Sequence, residues 1–236
     1  MNTYILINGS WHGAWCWNKV IPLLEKQGHK VITPELPGHG EDNTPIKEVS
    51  LKSYTDCICE ILDTLEDPII LVGHSMGGVI MSQVSEYRPE KIKLLIYISA
   101  FVLKNDEAIL SFIRRDKESL LIHNINFSKD MSIMELKEGA IKKVFYHDCP
   151  DEDISRAKLL VVPQAVKPIK TRLNINNEKF ELIPKIYVEC LRDKAISITM
   201  QRKMHAEFNW EKVYSIDSSH SPFFSSPKEL VSNLTR

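Results

Sequence analysis

The sequence predicts an α/β fold: one mostly parallel sheet with helices on both faces and a helical lid inserted into it. Three observations carry this. Short runs rich in Ile, Val and Tyr alternate with amphipathic helical patterns along most of the chain. The 236 residues suit a single α/β core. One long stretch, 101–183, breaks the alternation.

The first strand is Tyr4 to Ile7, an uninterrupted apolar run of the kind buried on both faces, ended by the turn residues Asn8-Gly9-Ser10. A helix follows over Trp15 to Gln27, with Trp17, Val20, Ile21 and Leu24 at helical spacing and Gly28 as its stop. Lys30 to Thr33 is the second strand, and Leu51 to Leu65 is a helix behind a Ser50 cap. Ile69 to Val72 leads into a helix over Met76 to Tyr87, then Lys93 to Ser99 forms the fourth strand. After the break come a strand at Lys185 to Glu189, a helix at Ile196 to Phe208, a strand at Val213 to Ile216 and a terminal helix at Pro227 to Leu234. Right-handed crossovers between parallel strands place these helices on both faces. The core is therefore expected over 1–100 and 184–236. Residues 101–183 hold amphipathic helical patterns without a clear pair of core strands, the pattern of a lid, and their Asp151-Glu152-Asp153 cluster reads as a solvated face.

Apolar residues at 43% and charged residues at 26% fit an ordinary globular chain and not a disordered one. Thirty basic against thirty-one acidic residues leave a net charge of -1, so no cationic field is present for nucleic acid. Runs such as Pro68 to Val72 and Leu94 to Ile98 are too short to span a membrane. The first residues lack the charged and apolar regions of a signal peptide, so a cytoplasmic protein is expected. Five cysteines, odd in number and without C-x-x-C spacing, suggest reduced thiols, and no metal is expected.

The sharpest motif is Gly73-His74-Ser75-Met76-Gly77, a G-x-S-x-G turn between a strand and a helix. Such a bend needs small neighbours, and it lifts Ser75 to a helix N-terminus that favours developing negative charge. A serine alone is a poor nucleophile, so a neutral-range imidazole must reach it. His220 fits, in the loop after the last strand. His29, His123, His147 and His205 fit structural roles, while His12 and His39 sit in loops at the expected active edge, where they line the site or pack the loops. A carboxylate must orient the imidazole. Asp193, just past the Lys185 to Glu189 strand, is favoured over Asp217, which stands only three residues before His220. Backbone N–H groups of Ser10 and Met76 are placed to hold an oxyanion. This constellation suits acyl transfer.

Together with this motif, His12-Gly13-Ala14-Trp15-Cys16-Trp17, Leu36-Pro37-Gly38-His39-Gly40, Phe145-Tyr146-His147-Asp148-Cys149, Tyr187-Val188-Glu189-Cys190 and Ser219-His220-Ser221 resemble the α/β-hydrolase superfamily. More narrowly they resemble its methylesterase and hydroxynitrile lyase branch. The resemblance implies an α/β-hydrolase fold and a cofactor-free serine hydrolase, with Ser75, Asp193 and His220 as triad and the lid over an apolar pocket. Asn8 stands where that family usually has His, which bears on the shape of the loop around Ser10. Ser221 follows His220 where the family's lyases place a lysine for cyanide, so the resemblance favours ester hydrolysis over cyanohydrin cleavage. The expected partner is a small to medium, mainly apolar ester, with neither nucleic acid nor membrane; a homodimer is left open. Gly9, His12, His74, Phe101, Phe145 and Tyr146 are the candidates for substrate contact. A catalytically slow ligand receptor on the same scaffold is the alternative from another class.

Overall fold

The computed structural model describes residues 1–236. Strands β1 (Thr3–Ile7), β2 (Lys30–Ile32), β3 (Ile69–His74), β4 (Ile92–Ile98), β8 (Lys185–Cys190) and β9 (Lys212–Ile216) form one sheet in the order β2-β1-β3-β4-β8-β9. Every neighbouring pair is parallel. The remaining strands, β5 (Ile125–Phe127), β6 (Ile133–Leu136) and β7 (Gln164–Ala165), make a small antiparallel sheet inside the insertion. From β1 the chain steps outward to β2, then returns to the other side of β1 for β3 and continues away from it. That reversal opens a crevice at the carboxyl ends of β1 and β3, the place where open parallel sheets hold their ligands.

The helix expected over Trp15 to Gln27 is divided into a 3-10 turn, Ala14–Trp17, and a helix α1, Ile21–Glu25. Pro22 explains the division: it has no N–H to continue a helix but fits the first turn of a new one. Gly28 closes it with φ +82°, where a side chain would be strained. Helix α2 (Leu51–Asp63) starts as expected from Ser50. The Ser50 hydroxyl accepts from Ser53 N at 3.0 Å and the Ser53 hydroxyl accepts from Ser50 N at 2.9 Å, so two orphan donors are satisfied at once. Helix α3 (Gly77–Tyr87) is buried from Gly77 through Ser85, which accounts for its small and apolar residues.

The insertion carries helices α4 (Ile109–Arg115), α5 (Asp151–Leu160), α6 (Val166–Lys170) and α7 (Asn177–Glu181), with a π-helical turn over Ile141–Phe145. Its β5-β6-β7 sheet departs from the purely helical expectation. Two to four residues per strand are too few for alternation to stand out in sequence, and the β5-β6 turn is instead set by Asp130 Oδ1, which accepts from the Ser128 and Ser132 hydroxyls. The acidic cluster is also not wholly solvated: Asp153 is buried and ion-paired with Lys19 at 2.5 Å. After β8 come α8 (Ile198–His205), the short α9 (Pro222–Ser225) and α10 (Pro227–Leu234). No helix is long and apolar enough to cross a membrane.

Candidate active site

At the end of β3 the chain turns so tightly into α3 that Ser75 takes φ +54°, a left-handed conformation costly for any residue with a side chain. Close approach of the surrounding backbone holds it there. A Cβ on Gly73 would come within 2.7 Å of the Gly77 carbonyl carbon, and one on Gly77 within 2.8 Å of the Ile7 carbonyl oxygen. Gly9, in the loop after β1, packs against Ser75 itself, since a Cβ there would lie 2.8 Å from the Ser75 Cβ. Ser75 N donates to Ile98 O at 3.3 Å and Phe101 N donates to Ser75 O at 3.1 Å, so the ends of β1, β3 and β4 converge on this residue.

His220 lies on the loop between β9 and α9. Its Nδ1 donates to Asp193 Oδ2 at 2.6 Å, and both side chains are buried. His74, one residue before Ser75, donates from Nε2 to the His220 carbonyl at 2.7 Å, with the two rings 4.5 Å apart. That bond pins the histidine loop to the serine bend. Asp217 lies elsewhere: exposed, and bound to Arg192 Nε at 2.7 Å.

The Asp193 carboxylate is saturated with donors. Oδ1 accepts from Ala195 N at 2.6 Å and Ile196 N at 3.0 Å; Oδ2 accepts from His220, from Gln201 Nε2 at 3.3 Å and from the Ser99 hydroxyl. Ser99 and Gln201 belong to no motif in the sequence. Ser99 is a small polar residue with φ +38° just past β4, and Gln201 is a lone amide on the buried face of α8; neither pattern distinguishes a supporting residue from an ordinary strand end or helix face.

Ser10 and Met76 lie together, with the Ser10 hydroxyl 3.4 Å from the Met76 sulfur. Neither backbone N–H is committed to a carbonyl of the protein. Two unspent donors beside a serine suit a developing oxyanion. Asn8 shapes this loop by donating to the His12 carbonyl at 2.6 Å and the Gly9 carbonyl at 3.1 Å. His12 Nδ1 donates to the Ser10 carbonyl at 2.8 Å and its Nε2 accepts from Tyr146 Oη at 2.9 Å. His39 Nδ1 donates to the His12 carbonyl at 2.6 Å and its Nε2 accepts from Tyr54 Oη at 2.8 Å. Burial pushes both imidazoles down to about 4, and His74 well below its ordinary range, so all three are neutral braces near pH 7.

Of the residues expected to touch substrate, His12, His74 and Tyr146 thus have polar atoms turned to protein partners, and all three are buried. Phe145 differs, its ring 5.5 Å from that of His220 and 5.8 Å from that of Trp11. Phe101 and Gly9 adjoin Ser75 through the backbone. Phe112 lines a separate cleft with Met204 and Phe208. Ser75 is 9% exposed, and a larger cleft of about 430 Å³ opens beside the loop after β1, between Trp11, Leu136, Ile141 and Val161. No group of three or more His, Cys, Asp or Glu side chains is arranged to hold a metal ion.

Residues 4–233 match a family model described as alpha/beta hydrolase family. The chain is 30% identical over 247 residues to methylesterase 7 of Arabidopsis thaliana, covering 98% of this chain and 94% of that protein. It is 31% identical over 247 residues to the alpha-hydroxynitrile lyase of the same plant, covering 98% and 95%. Among solved structures, a pyrethroid hydrolase from Sphingobium faniae superposes with a TM-score of 0.88 at 29% identity, over 99% of this chain and 95% of that one. Some relatives are longer: the chain spans 62% and 54% of two Arabidopsis proteins with chloroplastic names.

Proposed function

This chain belongs to the alpha/beta hydrolase family, and on that premise we propose that it is a serine esterase of carboxylesterase type, cleaving small to medium, mainly apolar esters through an acyl-enzyme. The observation that carries the reading is the His220 Nδ1 to Asp193 Oδ2 hydrogen bond of 2.6 Å, on a loop that His74, the residue before the left-handed Ser75, holds by its carbonyl at 2.7 Å. In the proposed reaction Asp193 fixes the tautomer that leaves Nε2 of His220 free to take the Ser75 proton. Ser75 Oγ then attacks the ester carbonyl, while the Ser10 and Met76 N–H groups receive the oxyanion. His220 returns the proton to the departing alcohol, and water activated by the same imidazole releases the acid and regenerates the serine.

Several features support the finer parts. Phe145 gives an apolar surface next to His220, in line with an apolar acyl or alcohol portion. The lid is taken as 101–183 on a core of 1–100 and 184–236, because Ser75, Asp193 and His220 all lie in the core stretches while 101–183 brings the Phe145 ring to 5.5 Å from that of His220. Ser221 is buried and uncharged, leaving no cation next to His220 for a cyanide leaving group, which favours hydrolysis over the lyase reaction of the relative named above. Five free thiols suit a reducing compartment such as the cytoplasm.

The test is turnover of p-nitrophenyl and methyl esters of graded acyl length, with fluorophosphonate labelling of the serine. Wild type should turn over and label; Ser75→Ala should lose labelling and at least about 10³-fold in kcat. Cyanide release from mandelonitrile without ester turnover would replace this reading by the lyase, and ligand binding without labelling would replace it by the receptor.

A further inference from the structure

The geometry points to Asp148, in the inserted segment, as a positioning residue that ties that segment to the alignment of the His220–Asp193 pair; this rests on the esterase reading above. Asp148 is in the segment between the π-helical turn and α5, with its side chain 11% exposed. Its Oδ2 accepts from Ser219 N at 2.7 Å and from Arg192 Nη2 at 3.0 Å. Ser219 directly precedes His220, and Arg192 directly precedes Asp193. One lid carboxylate therefore holds the residue before each member of the pair.

Neighbouring bonds make the link stiff. The Ser219 hydroxyl donates to the Phe145 carbonyl at 2.9 Å, a second tie from the same lid segment to the histidine loop. Arg192 N donates to Ser218 O at 3.0 Å, and its guanidinium donates to Asp217 Oδ1 at 2.7 Å and to Asp217 O at 2.9 Å, so the two loops are also laced to each other. The charge of Asp148 matters here because a carboxylate can accept from both an amide and a guanidinium with charge assistance. Asp217 keeps Arg192 in reach on the exposed side, which gives the rejected candidate acid a place in the same network. Without Asp148 and the Phe145 carbonyl, Ser219 would lose both of these ties, which set the histidine loop just before His220. His74 alone then holds its carbonyl.

The role predicts a loss in the chemical step and not in binding. Asp148→Ala should slow fluorophosphonate labelling and kcat on p-nitrophenyl acetate about tenfold to a hundredfold, with KM within about threefold, because small misplacements of a catalytic group cost rate of this order. Asp148→Asn keeps an oxygen for Ser219 N but loses the charge facing Arg192, and should fall between wild type and the alanine variant. Arg192→Met should lower kcat severalfold, and the Asp148→Ala, Arg192→Met double variant should be less impaired than the product of the two single effects. If Asp148→Ala does not fold, the same kcat and KM comparison on Asp148→Asn and Arg192→Met decides. Wild-type labelling at an unchanged rate in folded variants, or a loss confined to KM, overturns the positioning role. Absence of labelling in the wild type instead overturns the esterase reading.

Discussion

A methyl group on Gly73 would press against backbone, not against a movable side chain: the Gly77 carbonyl carbon and oxygen both lie 2.7 Å from where it would sit. Gly73→Ala should therefore cost about 1 to 3 kcal/mol of stability and move Ser75 off its bend, readable as a lower denaturation midpoint together with lost fluorophosphonate labelling. Asp193 is decided by the same kind of local accounting. All five of its partners are donors, so an amide in its place must turn an NH₂ group toward at least two of them, whichever way it is flipped. Asp193→Asn should lower kcat by about 10³ to 10⁴-fold with the protein still folded, whereas Asp217→Asn, at an exposed site, should change it only severalfold through Arg192. Equal effects of the two substitutions would contradict the assignment. Ser99 and Gln201 would have escaped any reading by motif, since their importance lies in one acceptor atom they share.

At the scale of the element, α2 begins where Ser50 was expected to cap it, because the signal is carried by residues three apart in the chain. Ser50→Ala removes the acceptor for Ser53 N and should cost about 1 kcal/mol in denaturant unfolding with ester turnover unchanged, as α2 touches none of the reacting residues. A cost near zero would mean that the helix start is held by packing of Leu51 and Tyr54 instead. The predicted helix behind β1 shows the opposite case. Trp17, Val20 and Leu24 have helical spacing and are all buried, yet Pro22 restarts the backbone between them, so periodicity located the buried face without giving the element its continuity. In the lid, three short strands pair across the chain with no alternation long enough to announce them.

For the whole molecule, three buried imidazoles set a pH limit. His12 and His39 have values pushed down to about 4 from an ordinary 6.5, chiefly by burial, and burial likewise holds His74 well below its ordinary range. Below 6.5 the unfolded chain binds protons on these residues that the folded chain refuses, so stability falls as pH drops from about 6.5 through 4. Each of the first two contributes about 3 kcal/mol to that loss, counted at about 1.4 kcal/mol per pH unit. Urea unfolding at pH 7 and pH 4.5 should show a clear drop in midpoint at the lower value. A midpoint that is flat across the interval would show that these imidazoles accept protons in the folded state. Because the same three residues brace the loops carrying Ser10 and His220, acid should also disorder the loop after β1 before the sheet.

The chain's own order of residues determined the alternation of strands and helices, the crowded bend at Ser75 and the loop that delivers His220. Each of these is written within a few neighbouring residues, where periodicity, caps and small side chains leave a local trace. Only the tertiary structure decided which donors surround Asp193, that His12 and His74 brace and do not open onto free space, and that Asp148 reaches the histidine loop. Those pairs are separated by 94 residues for Ser99 and Asp193, 134 for His12 and Tyr146, and 71 for Asp148 and Ser219. A hydrogen bond depends on where two atoms end in space, and that is set by how the sheet orders its strands and how the segment between β4 and β8 packs, which no local window of sequence contains.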